Sequence, residues 1–232
     1  AALARRIVVG HTPDVLNDEV ADLSLGLMLS IARQIPQADQ FVRSGRWAQA
    51  PFPLQRKLTG ARLGLVGMGR IGSAVARIGQ AFGMEILSCG RQSNSETQTL
   101  AAAMEGIPRV DLDTLLATSD VVSLHCPLTP QTLGLINAER LARMKPGAFL
   151  INTGRGPLID EPALAQALAS GHLGGAGLDV LSVEPPGADH PLLQAPNCLI
   201  TPHVAWTSRQ ARQRLVATLA DHLKAFREGS RR

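Results

Sequence analysis

The sequence predicts an α/β fold, a doubly wound parallel sheet, accompanied by only remnants of a second domain. Three observations predict it. From Arg62 onward, short apolar runs alternate with stretches of helical period, the signature of βαβ units around a parallel sheet. A glycine-rich turn, Gly67-Met68-Gly69-Arg70-Ile71-Gly72, falls between the first of these runs and the first of these helices. The residues before Arg62 have another texture, one long apolar helix and then a proline-punctuated stretch that fits neither pattern.

Taken in order, the chain opens on a short β-branched run, Ile7-Val8-Val9-Gly10, and Asn17-Asp18-Glu19 then offers a cap and an acidic first turn for a helix. Val20, Leu23, Leu27 and Ile31 recur at helical spacing. Leu25, Met28 and Leu29 widen the stripe so far that burial on both sides is expected, and Pro36 is expected to end the helix. Between residues 36 and 60, Gly45, Trp47, Pro51 and Pro53 leave little periodicity, which predicts a short helix and then an extended arm. Strands follow at Arg62–Val66, Glu85–Cys89, Val121–His125, Ala148–Asn152, Gly175–Val180 and Cys198–Thr201. Helices are expected between them near 70–82, 96–104, 111–118, 137–143 and 160–170, with one long amphipathic helix from Thr207 to Arg227. The most linker-like stretch is the Ser/Thr/Gln-rich segment from Gln92 to Thr99.

Composition narrows the function classes. With 232 residues, 45% hydrophobic and 18% charged, the chain is expected to bury a real core rather than stay disordered. The net charge of +4 is scattered rather than striped, and with no Tyr and only 3% aromatics the sequence offers neither a phosphate track nor a base-stacking platform. Nucleic acid is not an expected partner. Cys89, Cys126 and Cys198 are too far apart for a Cys-x-x-Cys metal or redox motif, so they are expected to be reduced thiols of a cytoplasmic protein. No apolar run approaches the roughly 18 residues of a membrane span. The first residue is not Met, which is read here as a chain that starts partway through a longer protein.

The glycine turn has a mechanical reading at each position. Gly67 permits the tight turn, Gly69 lets backbone approach a pyrophosphate, and Gly72 lets helix pack on strand, with the helix N-terminus facing the phosphates. That is a Rossmann-type cofactor domain. An NAD-using domain of this kind normally places an acidic residue about 20 positions on to accept the ribose hydroxyls. Gly90-Arg91 stands there instead, and Glu85 lies at the wrong end of its strand. A guanidinium without a neighbouring carboxylate suits a 2′-phosphate, so NADP(H) is the preferred cofactor and NAD(H) the alternative.

Four further segments sit at predicted carboxyl ends of strands: Asn152-Thr153-Gly154-Arg155, Leu178-Asp179, Val183-Glu184-Pro185 and Thr201-Pro202-His203. Ligands bind along that edge in open α/β sheets, so an arginine, two carboxylates and a histidine are expected to converge on one crevice. In these motifs the sequence resembles the D-isomer-specific 2-hydroxyacid dehydrogenase family over nearly its whole length, from Thr12-Pro13-Asp14-Val15-Leu16 to the last helix. Within it, Gly90-Arg91 resembles the glyoxylate/hydroxypyruvate reductases and His203-Val204-Ala205-Trp206 the glycerate dehydrogenases. The resemblance implies that Arg155 binds the substrate carboxylate, that His203 donates the proton and that Glu184 pairs with it. It implies that Asp179 holds the nicotinamide carboxamide and that Arg70, Ile71, Cys126, Thr153 and Ala205 lie against the cofactor.

The same resemblance implies an organisation: residues 1–12 as a remnant of a substrate domain, 13–203 as the cofactor domain with a dimerisation arm at 36–60, and 204–232 as a helix returning to the substrate domain. Family members carry a further stretch in front, forming most of that domain. The implied activity is hydride transfer between NAD(P)H and a small 2-keto or 2-hydroxy acid in a homodimer, with a nucleotide-binding regulator or a fragment without turnover as the second reading.

Overall fold

The computed structural model describes residues 2–5, 7–90 and 106–228. The helix expected at 96–104, the Gln92–Thr99 linker and Arg91 lie outside the described residues. Six parallel strands form one sheet: β1 (Arg62–Val66), β2 (Glu85–Cys89), β3 (Val121–Leu124), β4 (Phe149–Asn152), β5 (Gly175–Leu178) and β6 (Cys198–Ile200), in the spatial order β2-β1-β3-β4-β5-β6. Arg109 adds an isolated parallel bridge to Ser88 outside β2. Strand order therefore reverses between β1 and β3, the topological switch point at which a crevice opens above the carboxyl ends of the strands.

Helices cover both faces. The helices of the βαβ units are α3 (Arg70–Ala81), α4 (Leu112–Thr118), α5 (Ala138–Arg143) and α6 (Glu161–Ala169), preceded by α1 (Asn17–Ala32) and α2 (Ile35–Arg43) and followed by α7 (Arg209–Arg227). One core lies under α4 to α6 around Leu116, Leu124, Leu150 and Leu164, and the other under α1 and α3 around Leu27, Met28, Leu65 and Val75. The central strands β3 and β4 are buried at every position, which is why they read as apolar runs apart from Ser123 and Asn152, whose side chains find hydrogen-bond partners. Side-chain caps start four helices: Asp111, Asn137, Asp160 and Ser208 accept from Thr114, Arg140, Ala163 and Ala211 backbone N–H groups at 2.8, 3.0, 3.1 and 2.7 Å.

Helix α1 is buried on both sides, as its wide stripe predicts. Leu27, Met28 and Ile31 are no more than 2% exposed, each contributing roughly 1.5–3 kcal/mol of burial. A Cβ on Gly177 of β5 would stand 2.8 Å from the Leu27 Cβ, so the missing side chain there lets α1 lie close on the sheet. Two local expectations change. Asn17 is the first residue of α1 rather than its cap, and its side-chain amide donates instead to Asp14 Oδ1 at 2.7 Å. Pro36 does not end α1 but sits in the first turn of α2, where its missing N–H costs nothing, and the break is made by Gln34 at φ +48. Residues 7–10 lie outside the sheet, exposed, with Gly10 against the His222 ring of α7.

Candidate active site

The glycine turn separates into three functions that the structure resolves. Gly67 has φ +103, and a Cβ there would come within 2.8 Å of the Cys126 amide nitrogen, so only glycine lets β1 turn against the loop after β3. A Cβ on Gly72 would overlap the Gly67 carbonyl oxygen, so this glycine lets α3 pack on the turn. Around Gly69, by contrast, nothing lies within 4 Å of the Cβ position, which leaves the backbone at the start of α3 open to a ligand. Gly69 caps α3 without a side-chain hydrogen bond, so no side chain of the cap occupies the anion-attracting helix end. The residues present therefore fit a dinucleotide pyrophosphate.

Neighbouring groups frame this cradle. Arg70 pairs through Nε with Asp14 Oδ1 at 2.9 Å, and Ile71 stands half-buried beside it. Burial holds the Cys126 thiol above its usual range, against an opposing backbone hydrogen bond, which keeps it protonated and unreactive. The His125 ring meets Ser123 Oγ at 2.9 Å beneath the loop, and desolvation pushes its pKa down to about 4, so it is neutral. Gly90 follows β2 at φ +139, its Cβ position 3.5 Å from Gly67 Cα.

The loop after β4 is tied by one buried side chain. Asn152, fully buried, donates to the Arg155 carbonyl at 2.9 Å and accepts the Gly154 amide at 3.0 Å. Thr153 shares a 3.0 Å hydroxyl contact with Ser24 of α1, and exposed Arg155 turns its guanidinium to the Gly154 carbonyl at 2.7 Å. After β5, the buried Asp179 carboxylate accepts from Thr201 Oγ1 at 2.5 Å and from the Val204 and Ala205 amides at 2.9 and 2.8 Å. A carboxylate has about four acceptor sites, so three bonds leave one for a ligand amide.

This clamp shapes the turn that presents His203. The residue has φ +56 and its amide donates to the Asp179 carbonyl at 2.9 Å, an unusual backbone held by its surroundings. Its ring Nδ1 meets Glu184 Oε2 at 2.7 Å, and Glu184 Oε1 accepts the Leu181 amide at 2.9 Å. Partial burial pushes the Glu184 carboxyl up. The bonds from His203 and the Leu181 amide, with the His203 and Arg155 charges, outweigh it and hold the carboxyl below its usual range. The second ring nitrogen, Nε2, makes no hydrogen bond among the described residues. Sequence reasoning thus named the pair and its edge, but did not single out Gly156, which packs against Leu181, or Glu161 and His190, which stand beside the Ser182 amide. Their only sequence signals were a glycine after Arg155 and an acid opening a helix.

Together these features define a dinucleotide-binding oxidoreductase domain with a carboxylate-paired histidine at the cofactor edge. Residues 25–205 match the D-isomer specific 2-hydroxyacid dehydrogenase family, NAD binding domain, and the chain belongs to that family. Its members are NAD(P)-dependent oxidoreductases acting on the CH–OH group. It is 44% identical to the glyoxylate reductase of Thermofilum pendens over 98% of this chain and 67% of that protein. It is 40% identical to the hydroxypyruvate reductase of Blautia hydrogenotrophica over 99% of this chain and 71% of that one. Among solved structures, an NADPH-dependent glyoxylate/hydroxypyruvate reductase from Sinorhizobium meliloti, in complex with NADP and malonate, superposes with a TM-score of 0.85 at 41% identity, over 97% of this chain and 69% of that one. No helix among the described residues is long and apolar enough to cross a membrane.

Proposed function

We propose that the chain reduces small 2-keto acids of the glyoxylate and hydroxypyruvate type with NADPH in the cytoplasm. The observation that carries this reading is the 2.7 Å Glu184–His203 pair, on loops that follow the carboxyl ends of β5 and β6, in a sheet whose β1 also ends in the glycine turn with its open backbone at Gly69. Gly67, Gly69, Arg70, Ile71, Gly72, Gly90, Cys126, Thr153, Asp179 and Ala205 would hold the dinucleotide, with Asp179 offering its remaining acceptor site to the carboxamide. The bound nicotinamide supplies the hydride. As charge develops on the substrate carbonyl oxygen, His203 donates its Nε2 proton, and the ionised Glu184 stabilises the charged ring and fixes its tautomer. Arg155 swings from the Gly154 carbonyl to pair with the substrate carboxylate and polarise the carbonyl. A nucleotide-binding regulator without turnover would have no need of the histidine pair. Steady-state oxidation of NADPH by glyoxylate or hydroxypyruvate tests the reading, on this chain and on one extended to the length of its relatives. Absence of turnover in both overturns it.

The preference for NADP(H) rests on Gly90, which puts no carboxylate where a ribose 2′-phosphate would lie, and on Arg91 after it. At φ +139 an aspartate at position 90 would strain the backbone, so Arg91→Ser is the cleaner probe. A charge-assisted contact is worth about 1.5–3 kcal/mol. Arg91→Ser is therefore expected to lower kcat/KM for NADPH roughly ten- to hundredfold and leave NADH unchanged. An unaltered ratio places the selection elsewhere.

Uncovered apolar surface supports the proposed organisation. Ile35, Val42, Trp47 and Leu54 are exposed on α2 and the arm of residues 36–60, and Leu54 is fully so. Surface of this kind fits a two-fold homodimer through the cofactor domain, residues 13–203. Sedimentation is expected to give a dimer at micromolar concentration, and a monomer alone removes the assignment. On α7, Val216, Leu219, Leu223 and Phe226 form a second exposed stripe, and Ile7, Val8 and Val9 are exposed just before Gly10, which lies against His222 of α7. This supports residues 1–12 and 204–232 as the parts that belong with a substrate domain.

A further inference from the structure

The loop that carries Glu184 is irregular and exposed from Ser182 to Pro185, yet its carboxylate must meet His203 within a few tenths of an ångström. Few contacts fix it. The Leu181 amide donates to Glu184 Oε1 at 2.9 Å, and the next amide, Ser182, points to a different carboxylate, donating to Glu161 Oε1 at 2.7 Å. Glu161 is only 8% exposed and stands in the first turn of α6, where Asp160 caps the helix and the dipole favours a negative charge. Its other oxygen, Oε2, meets His190 Nε2 at 3.2 Å. His190 Nδ1 is buried and has no hydrogen-bond partner among the described residues, so the ring proton belongs on Nε2, where it donates to Glu161. Leu192, two residues on, is buried in the core and anchors the segment from which His190 projects.

We infer that Glu161, seated by His190, is a positioning residue for Glu184. It touches neither substrate nor cofactor. Two adjacent amides are gripped by two carboxylates, and the buried one transfers the rigidity of α6 and the core to the exposed loop. The orientation of the Leu181–Ser182 peptide sets where Glu184 begins, and so the charge that faces the His203 ring. Among the described residues, the charged group that meets this ring is Glu184, on which the Arg155 charge also acts, while the nearby Asp179 carboxylate is engaged by Thr201, Val204 and Ala205. Without Glu161, water can take the Ser182 amide and the loop has no fixed partner there.

The inference rests on the role proposed above for Glu184, and the test separates the two. The midpoint of the His203 ring titration is followed by NMR on this chain, assigned by the loss of its signal in His203→Ala. Glu184→Gln is expected to move the midpoint to lower pH. Glu161→Ala is expected to move it in the same direction by a smaller amount, and Glu161→Gln, which keeps an oxygen for the Ser182 amide, to restore the parent value. In the Glu184→Gln background Glu161→Ala is expected to add nothing, whereas a general loosening of the fold would add its effect in either background. An unmoved midpoint in Glu161→Ala, or an equal shift in both backgrounds, overturns the inference while leaving Glu184 its role. An unmoved midpoint in Glu184→Gln overturns both. Should Glu161→Ala not fold, His190→Ala carries the test, and a parent midpoint there likewise overturns the inference.

Discussion

Replacing His203 with Ala is expected to lower kcat for keto-acid reduction by about 10² to 10⁴ at every pH, because the substitution removes the proton donor itself. Glu184→Gln must fail differently. It keeps a hydrogen-bond partner for Nδ1 but removes the charge that favours the protonated ring, a charge the structure shows to be stabilised by that ring in return. The alkaline limb of the reductive pH–rate profile should therefore move to lower pH, with activity largely retained at the acid end. The stability the pair contributes has its own pH window on the acid side. The folded-state Glu184 carboxyl lies below the usual range, so this contribution is present above the unfolded carboxylate pKa and is lost as the pH falls through the folded value. Both side chains are more than a third exposed, 43% and 37%, so solvent screens the pair and its loss affects the profile more than stability. Steady-state rates across pH for the parent and both variants check this. An active His203→Ala enzyme removes the mechanism, and an unchanged alkaline limb in Glu184→Gln removes the role of the acid.

Strands were legible because burial leaves little choice. A strand covered on both faces must be largely apolar, as Val121 to Leu124 is apart from Ser123, whose buried hydroxyl is satisfied by the His125 ring. The catalytic edge was legible for a related reason: Arg155, Asp179, Glu184 and His203 each follow such a run within a few residues. Helix breaks were less so. Proline reads as a stop, but its fixed φ also suits a first turn, and sequence alone does not say on which side of Pro36 the break falls. Glu161 was hidden more deeply. Within its own helix it looks like an ordinary N-terminal acid that complements the dipole, and its actual partner, the Ser182 amide, lies on a loop after the next strand. A backbone amide leaves no mark on a sequence. Local chemistry that satisfies a residue in one way conceals the tertiary contact that satisfies it in another.

Gly156 carries the second large expectation. A Cβ there would overlap the Leu181 carbonyl group and the Ser182 nitrogen, well inside the 3.0 Å that real Cβ atoms respect, and all of these are backbone atoms that no rotamer change can move aside. The position joins two halves of the site, since Arg155 precedes Gly156 and Glu184 follows Leu181 and Ser182 on the loop pressed against it. Gly156→Ala must therefore push the two loops apart. Overpacking of this kind costs roughly 1–3 kcal/mol, and for a chain of this size each kcal/mol lowers Tm by about 2–4 °C. Function should suffer more than stability, because a misplacement of about 1 Å can cost 10²-fold in rate. The glycine turn at residues 67–72 lies on another loop, so dinucleotide affinity should fall less than kcat, through Thr153 and Asp179 alone. Calorimetry, a dinucleotide titration and kcat then separate the outcomes. A variant with parental kcat shows that the close approach of these loops does not set the Arg155 and Glu184 geometry, and a variant that loses dinucleotide binding in step with kcat shows that the damage is not confined to this junction.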